Sequence, residues 1–215
     1  MHKFFVSEPV IKVMVCGDSH VVRAQQALDQ CGKDLLLSCF EYDNCQVTYR
    51  GRSGAGLKDG LQMVRDICSS GRQTPDCIIL HLGTNDIVPK SRKKEHRKTS
   101  KQLRTFFLKY INMIKELCDA WNISLIYSCM LPHRHYYHMD SNRAANRQRK
   151  ALNGLVRSIC QVVTRLLIEP SVYNNYFLEG DDVHLSHTGY VDLVYSWHFG
   201  IQELVDSGYH KAEIN

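Results

Sequence analysis

Val10–Cys16 reads VIKVMVC and is followed at once by Gly17-Asp18-Ser19-His20. A short apolar run rich in β-branched residues that stops at a glycine predicts a buried strand. A helix is expected from Ser19 to about Gln30, ending near Gly32. The same alternation continues along the chain. Gln46–Tyr49 predicts a short strand, Gly51–Gly56 a turn, and Leu57, Leu61, Val64, Ile67 and Cys68 a helix closed by Gly71. Cys77–Leu82 (CIILHL) is a second buried strand, closed by Gly83. From about Lys101 to Trp121, apolar residues recur at i, i+3, i+4 and i+7, the pattern of one buried helical stripe. Ile123–Met130 predicts a strand, Asn142–Val163 a helix, and Leu166–Ile168 a short strand. Ser186 is placed to cap a last helix that ends at Ser207-Gly208. Leu35–Phe40 is ambiguous between strand and helix end.

Strands alternate with helices, and the strands are continuous apolar runs and not alternating ones. Helices covering both faces of a mostly parallel sheet explain both features. The 215 residues fit a single domain, residues 1–215, with its core at about 10–207. With 44% hydrophobic and 23% charged residues, the chain is neither disordered nor low in complexity. It has no apolar run long enough for a membrane-spanning helix. Residues 1–9 do not read as a secretory leader, because Ser7, Glu8 and Pro9 interrupt the apolar stretch. The nine cysteines are odd in number and contain no C-x-x-C pair. They read as reduced core thiols in a cytoplasmic or nuclear protein, not as a disulfide framework or zinc site.

In a parallel sheet, sites form at the carboxyl ends of the strands. Here those ends are Gly17–His20, Gly51–Gly56, Gly83-Thr84-Asn85-Asp86 and Leu131-Pro132-His133. Ser19 opens a helix, where backbone N–H groups and the dipole favour negative charge. A serine at such a position is more often only a cap. A catalytic role for it requires a base and oxyanion donors from elsewhere. Asp181-Asp182-Val183-His184 offers an imidazole and a carboxylate three residues before it, which one turn would present to the same cleft. Gly54 can offer an unobstructed backbone N–H, and Asn85 its side-chain amide, alongside the N–H of Ser19. Asn85 alone reads equally as a turn residue, and D-x-x-H alone is common. Their joint occurrence at successive strand ends is what carries weight.

These residues resemble the sequence blocks of the SGNH hydrolases, the superfamily that includes the GDSL esterases and lipases. Gly17-Asp18-Ser19 resembles the first block, with His20 in place of an aliphatic residue. Arg52-Ser53-Gly54 resembles the second and Gly83-Thr84-Asn85-Asp86 the third. Asp181–His184, with Gly189-Tyr190 after it, resembles the fifth. The resemblance implies a flavodoxin-like three-layer α/β/α sandwich with a mostly parallel sheet. It also implies ester hydrolysis through an acyl-serine with no metal or other cofactor. On that basis Ser19 is the nucleophile, His184 the base and Asp181 its orienting partner, with Ser19, Gly54 and Asn85 forming the oxyanion hole. The substrate is expected to be a small or short-acyl ester.

Other features are open to more than one reading. His133, His135 and His138 crowd one loop, and a polar cleft wall or substrate contacts from His133 and His135 are favoured over a metal site. Tyr136 and Tyr137 either contact an acyl group or simply pack. Lys90–Arg104 holds eight basic residues against one Glu, and Arg143, Arg147, Arg149 and Lys150 follow. The first window is a solvated segment, a nuclear-localisation-like patch, or a contact for anionic lipid or nucleic acid. An alternative function follows, that of an anionic-ligand binding module with weak or no esterase activity. Some retrotransposon-encoded proteins carry esterase domains that resemble this family, which fits that alternative.

Overall fold

The structure is a computed structural model, and it describes residues 10–31, 45–70, 74–88, 98–163, 167–168, 177–178 and 181–206. Five parallel strands form one sheet: β1 (Ile11–Gly17), β2 (Cys45–Gly51), β3 (Cys77–His81), β4 (Ser124–Ser128) and β5 (Leu167–Ile168). Their order is β2-β1-β3-β4-β5, the flavodoxin-like order of doubly wound folds. The order reverses between β1 and β3, and the crevice at that switch point is where such sheets place ligands.

Helices cover both faces of this sheet. Side chains alternate along β1, so Val13 and Val15 face one side and Cys16 the other. Val13 and Val15 pack with α1 (Ser19–Cys31) and α6 (His187–Asp206), where Val21, Ala24, Leu193, Val194 and Trp197 are buried. Cys16, Ile78, Leu80 and Tyr127 pack with α2 (Leu57–Ser69), α4 (Ser100–Ala120) and α5 (Asn142–Val163). The result is the expected three-layer sandwich. Cys16, Cys77, Cys118 and Cys129 are buried free thiols, packed as small apolar residues.

Local sequence explains where the elements begin. Thr99 caps α4: its hydroxyl accepts from the Gln102 N–H at 3.2 Å, and the Gln102 side chain accepts from the Thr99 N–H at 2.8 Å. Leu103, Phe107, Ile111, Ile114 and Cys118 form the buried stripe of that helix. Each apolar side chain of this size buried there contributes roughly 1.5–3 kcal/mol before chain entropy is counted. Trp121, which the periodicity assigns to the same stripe, is the residue after the last helical turn and stands 48% exposed. Ser186 caps α6, accepting from the Gly189 N–H at 3.2 Å.

Three differences from the sequence reading stand out. Thr84–Ile87 forms a single helical turn, α3, immediately after β3. Asp181–Leu185 is a strand, β7, paired antiparallel with β6 (Phe177–Leu178), where a turn is expected. β2 is an edge strand whose exposure alternates along its length, so it is not a continuous buried run. The predicted segment Leu35–Phe40 lies outside the described residues, as do Lys90–Arg97 of the basic window. Among the described residues, no helix is long and apolar enough to cross a membrane.

Candidate active site

The carboxyl ends of β1, β2, β3 and β4 open onto the same edge of the parallel sheet. β1 ends at Gly17, and the chain passes through Asp18 directly into α1, so Ser19 is the first helical residue. Glycine is required at the junction. A Cβ on residue 17 would lie 2.4 Å from the His81 carbonyl oxygen and 2.5 Å from a Val21 methyl. That close approach brings the ends of β1 and β3 together.

The loop after β2 lies against them. The Arg52 N–H donates to the Gly17 carbonyl at 2.9 Å, and a tight turn follows, with Ala55 N–H donating to the Arg52 carbonyl. Within it Gly54 is exposed and takes a φ of +74°, a left-handed conformation that glycine adopts without strain. After β3, Gly83 has a φ of +118° and turns the chain into α3. A Cβ there would lie 2.8 Å from the Met130 sulfur. This turn presents Asn85 and Asp86 to the rim. The Asp86 carboxylate accepts from the Leu57 N–H at 2.8 Å, which ties the β3 loop to the start of α2. The Asn85 amide donates to the Ala55 carbonyl at 2.9 Å and to the Asp18 carboxylate at 3.3 Å. One side chain therefore joins the loops after β1, β2 and β3.

Ser19 and His184 meet across this rim. The Ser19 Oγ is 3.1 Å from His184 Nε2, although 165 positions separate them in the chain. β7 supplies the imidazole, and Asp181 opens that same strand, where only its backbone is described. The distance suits transfer of the hydroxyl proton to the imidazole.

Two charged-type groups at the site are held away from their ordinary titration. Asp18 is buried, and loss of hydration raises its carboxyl to about 7, assisted by the nearby Asp86 and opposed by the 2.9 Å bond it accepts from the His20 N–H. His20 is buried too, which holds its imidazole well below 6.5. The neighbouring imidazoles of His81, His133 and His184 push it further down.

These histidines form a wall that sequence reasoning only partly anticipates. The His20 ring centre is 5.7 Å from those of His81 and His133 and 5.6 Å from that of His184. His20 Nδ1 is 3.2 Å from the Tyr190 hydroxyl. His81 Nδ1 is 2.9 Å from Ser128 Oγ, which also accepts from the Trp197 indole at 2.9 Å. Burial lowers His81 to about 3. His133 belongs to this wall and stacks on Tyr136 at 5.0 Å, whereas His135 is exposed and set edge-on to Tyr137. Tyr136 is fully buried and packs. His81 has one sequence signal, a polar residue inside the apolar run CIILHL, which must find a buried partner. Among the described residues, no group of three histidine, cysteine or acidic side chains is arranged to hold a metal ion.

Beside Asn85 lies a cleft of about 470 Å³ lined by Gly54, Asn85, Asp86, Phe106, Met139 and Asp140, among others.

Residues 16–191, which contain every element of this rim, match the GDSL-like Lipase/Acylhydrolase family. The chain belongs to that family. Solved structures place the fold in the same group. A GDSL-like lipase from Bacteroides thetaiotaomicron superposes with a TM-score of 0.65 at 18% identity, covering 94% of this chain and 93% of that one. A psychrotrophic esterase from Pseudoalteromonas, solved with monoethylphosphonate as inhibitor, gives 0.62 at 13% identity, covering 91% and 98%. A catalytic mutant of an acetylxylan esterase from Geobacillus stearothermophilus gives 0.60 at 14% identity, covering 96% and 98%. No curated protein matches the chain. The part of this GDSL-like hydrolase that matches begins at the end of β1 and ends near the start of α6.

Proposed function

We propose that this GDSL-like hydrolase cleaves small or short-acyl carboxylic esters through an acyl-serine intermediate. The observation that carries the reading is the 3.1 Å approach of Ser19 Oγ to His184 Nε2. Ser19 Oγ attacks the ester carbonyl carbon while His184 Nε2 takes its proton. The resulting oxyanion is met by the N–H groups of Ser19 and Gly54 and by the Asn85 amide. Collapse breaks the bond to the alcohol oxygen, which takes the proton from His184. Water then repeats the sequence on the acyl-serine and releases the acid. Asp181 holds the His184 ring in the tautomer that leaves Nε2 free to accept.

Two features bear on the details. In the free site the Asn85 amide is engaged with Ala55 and Asp18. The longer of these contacts, the 3.3 Å bond to Asp18, is the one an oxyanion replaces. The neighbouring cleft is of small-molecule size and is lined by Lys58, Asp59 and Asp140 as well as Phe106 and Met139. It suits a compact polar ester better than a long acyl chain, and one structural neighbour is an acetylxylan esterase.

The test is hydrolysis of p-nitrophenyl acetate, together with labelling by a fluorophosphonate probe, in wild type and Ser19→Ala. Loss of labelling and at least about a thousand-fold loss of kcat are expected. Unchanged turnover in Ser19→Ala overturns the assignment of Ser19 as nucleophile, and absence of turnover and labelling in wild type returns the chain to a purely binding role.

A further inference from the structure

Helix α5 carries Arg143, Arg147, Arg149, Lys150 and Arg157 and not one Asp or Glu. Four of these cations are at least partly exposed, but Arg149 is only 9% exposed. A buried guanidinium normally faces a carboxylate, because removing its hydration without a counter-charge is costly. Among the described residues, every partner of Arg149 is neutral. Nη1 donates to the Met130 carbonyl at 2.8 Å, Nε donates to the Asn146 side-chain oxygen at 3.2 Å, and the Tyr136 hydroxyl is bonded to it. No ion pair among the described residues involves it.

Arg149 lines a groove of about 330 Å³ between α5 and the segment that follows β4. Lys150, Asn153, Gly154 and Arg157 form the helical wall, and Cys129–Pro132 the other. The lining contains three cations and no acid. A side chain on residue 154 would meet nothing within 4 Å, so the wall stays open in its middle. Asn153 is committed to Met130, accepting from its N–H and donating to its carbonyl, which holds the strand end against the helix.

We propose that this groove binds a phosphate-type dianion. A planar guanidinium and an ammonium on one wall match the two charges and the several acceptor oxygens of such a group. The bound anion supplies the counter-charge that Arg149 lacks. The small volume of the groove, about 330 Å³, points to orthophosphate or the phosphate of a small monoester, and not to a polymer lying along the helix. Neither the serine nor its base takes part, so the site stands whether or not the proposed hydrolysis does.

Thermal unfolding of the intact chain tests it, with sodium phosphate, glycerol 1-phosphate and sodium chloride compared at equal ionic strength. Either phosphate should raise Tm by about 3 °C at ten-fold saturation, and chloride should not. A larger rise with glycerol 1-phosphate assigns the site to a phosphorylated small molecule, and a larger rise with phosphate to the free ion. Arg149→Met also breaks the bond to Met130, so Lys150→Glu is the decisive variant: the rise should vanish in it and persist in Lys101→Ala. Equal Tm in phosphate and chloride overturns the proposal. So does an unchanged rise in Lys150→Glu.

Discussion

The amide of Asn85 reaches Ala55 and Asp18 at once, and the same nitrogen is proposed to meet the oxyanion. Asn85→Ala should therefore lower kcat for p-nitrophenyl acetate by about 10²–10³-fold, the range for loss of one oxyanion donor. Urea unfolding of the same variant separates that effect from loosening of the rim, since an unchanged midpoint leaves only the chemical role. Ser19, Asn85 and His184 are legible in the sequence because each stands in a short polar stretch beside an apolar run. The polar interruption at His81 shows only that a buried partner is needed, not which one, and Arg149 carries no signal of its own. A histidine inside a buried strand and an arginine on a basic helix acquire meaning only from what faces them across space, here Ser128 and Met130.

Among the elements, the close pairing of the ends of β1 and β3 is set by one missing side chain. Gly17→Ala forces a methyl to within 2.4 Å of a backbone oxygen that cannot swing away. The expected loss is at least about 1–3 kcal/mol, measured by urea denaturation. Gly56→Ala meets the Asp86 carboxylate at 2.5 Å, a side chain with more freedom to yield, and should cost less. The central strands and α4 can be read directly, because continuous apolar runs and a 3.6-residue stripe leave little choice. The β6–β7 hairpin cannot. Asp181–Leu185 is short and begins with two acids, so its pairing with Phe177–Leu178 is decided by tertiary contact and not by local preference. α3 is a single turn, too short to show a period.

Over the whole molecule, buried titratable groups decide how stability follows pH. His20, His81 and His198 all titrate below 6.5 when folded, with His81 at about 3 and His198 at about 4, because burial disfavours the charged ring. Unfolded histidines take up protons near 6.5, so the stability these three contribute is intact above that pH. It is lost as pH falls towards the folded values. Each costs about 1.4 kcal/mol per pH unit in that window. Asp18 acts in the opposite sense: its folded carboxyl titrates at about 7, so its contribution is full below 3.8 and is lost as pH rises through 7. Between pH 6 and 4.5 the three histidines outweigh the one acid. The unfolding free energy should fall by about 2–3 kcal/mol per unit, which urea titrations at a series of pH values will measure. His20→Leu should flatten that slope by about one proton.

The 165 positions between Ser19 and His184 also place the protein in time. Synthesis delivers the hydroxyl early and the imidazole late, after every strand of the parallel sheet has left the ribosome. A partly made chain carries the serine without its base. On the proposed chemistry it is silent towards esters until β7 has docked beside α1, so the first turnover reports that the two distant segments have met.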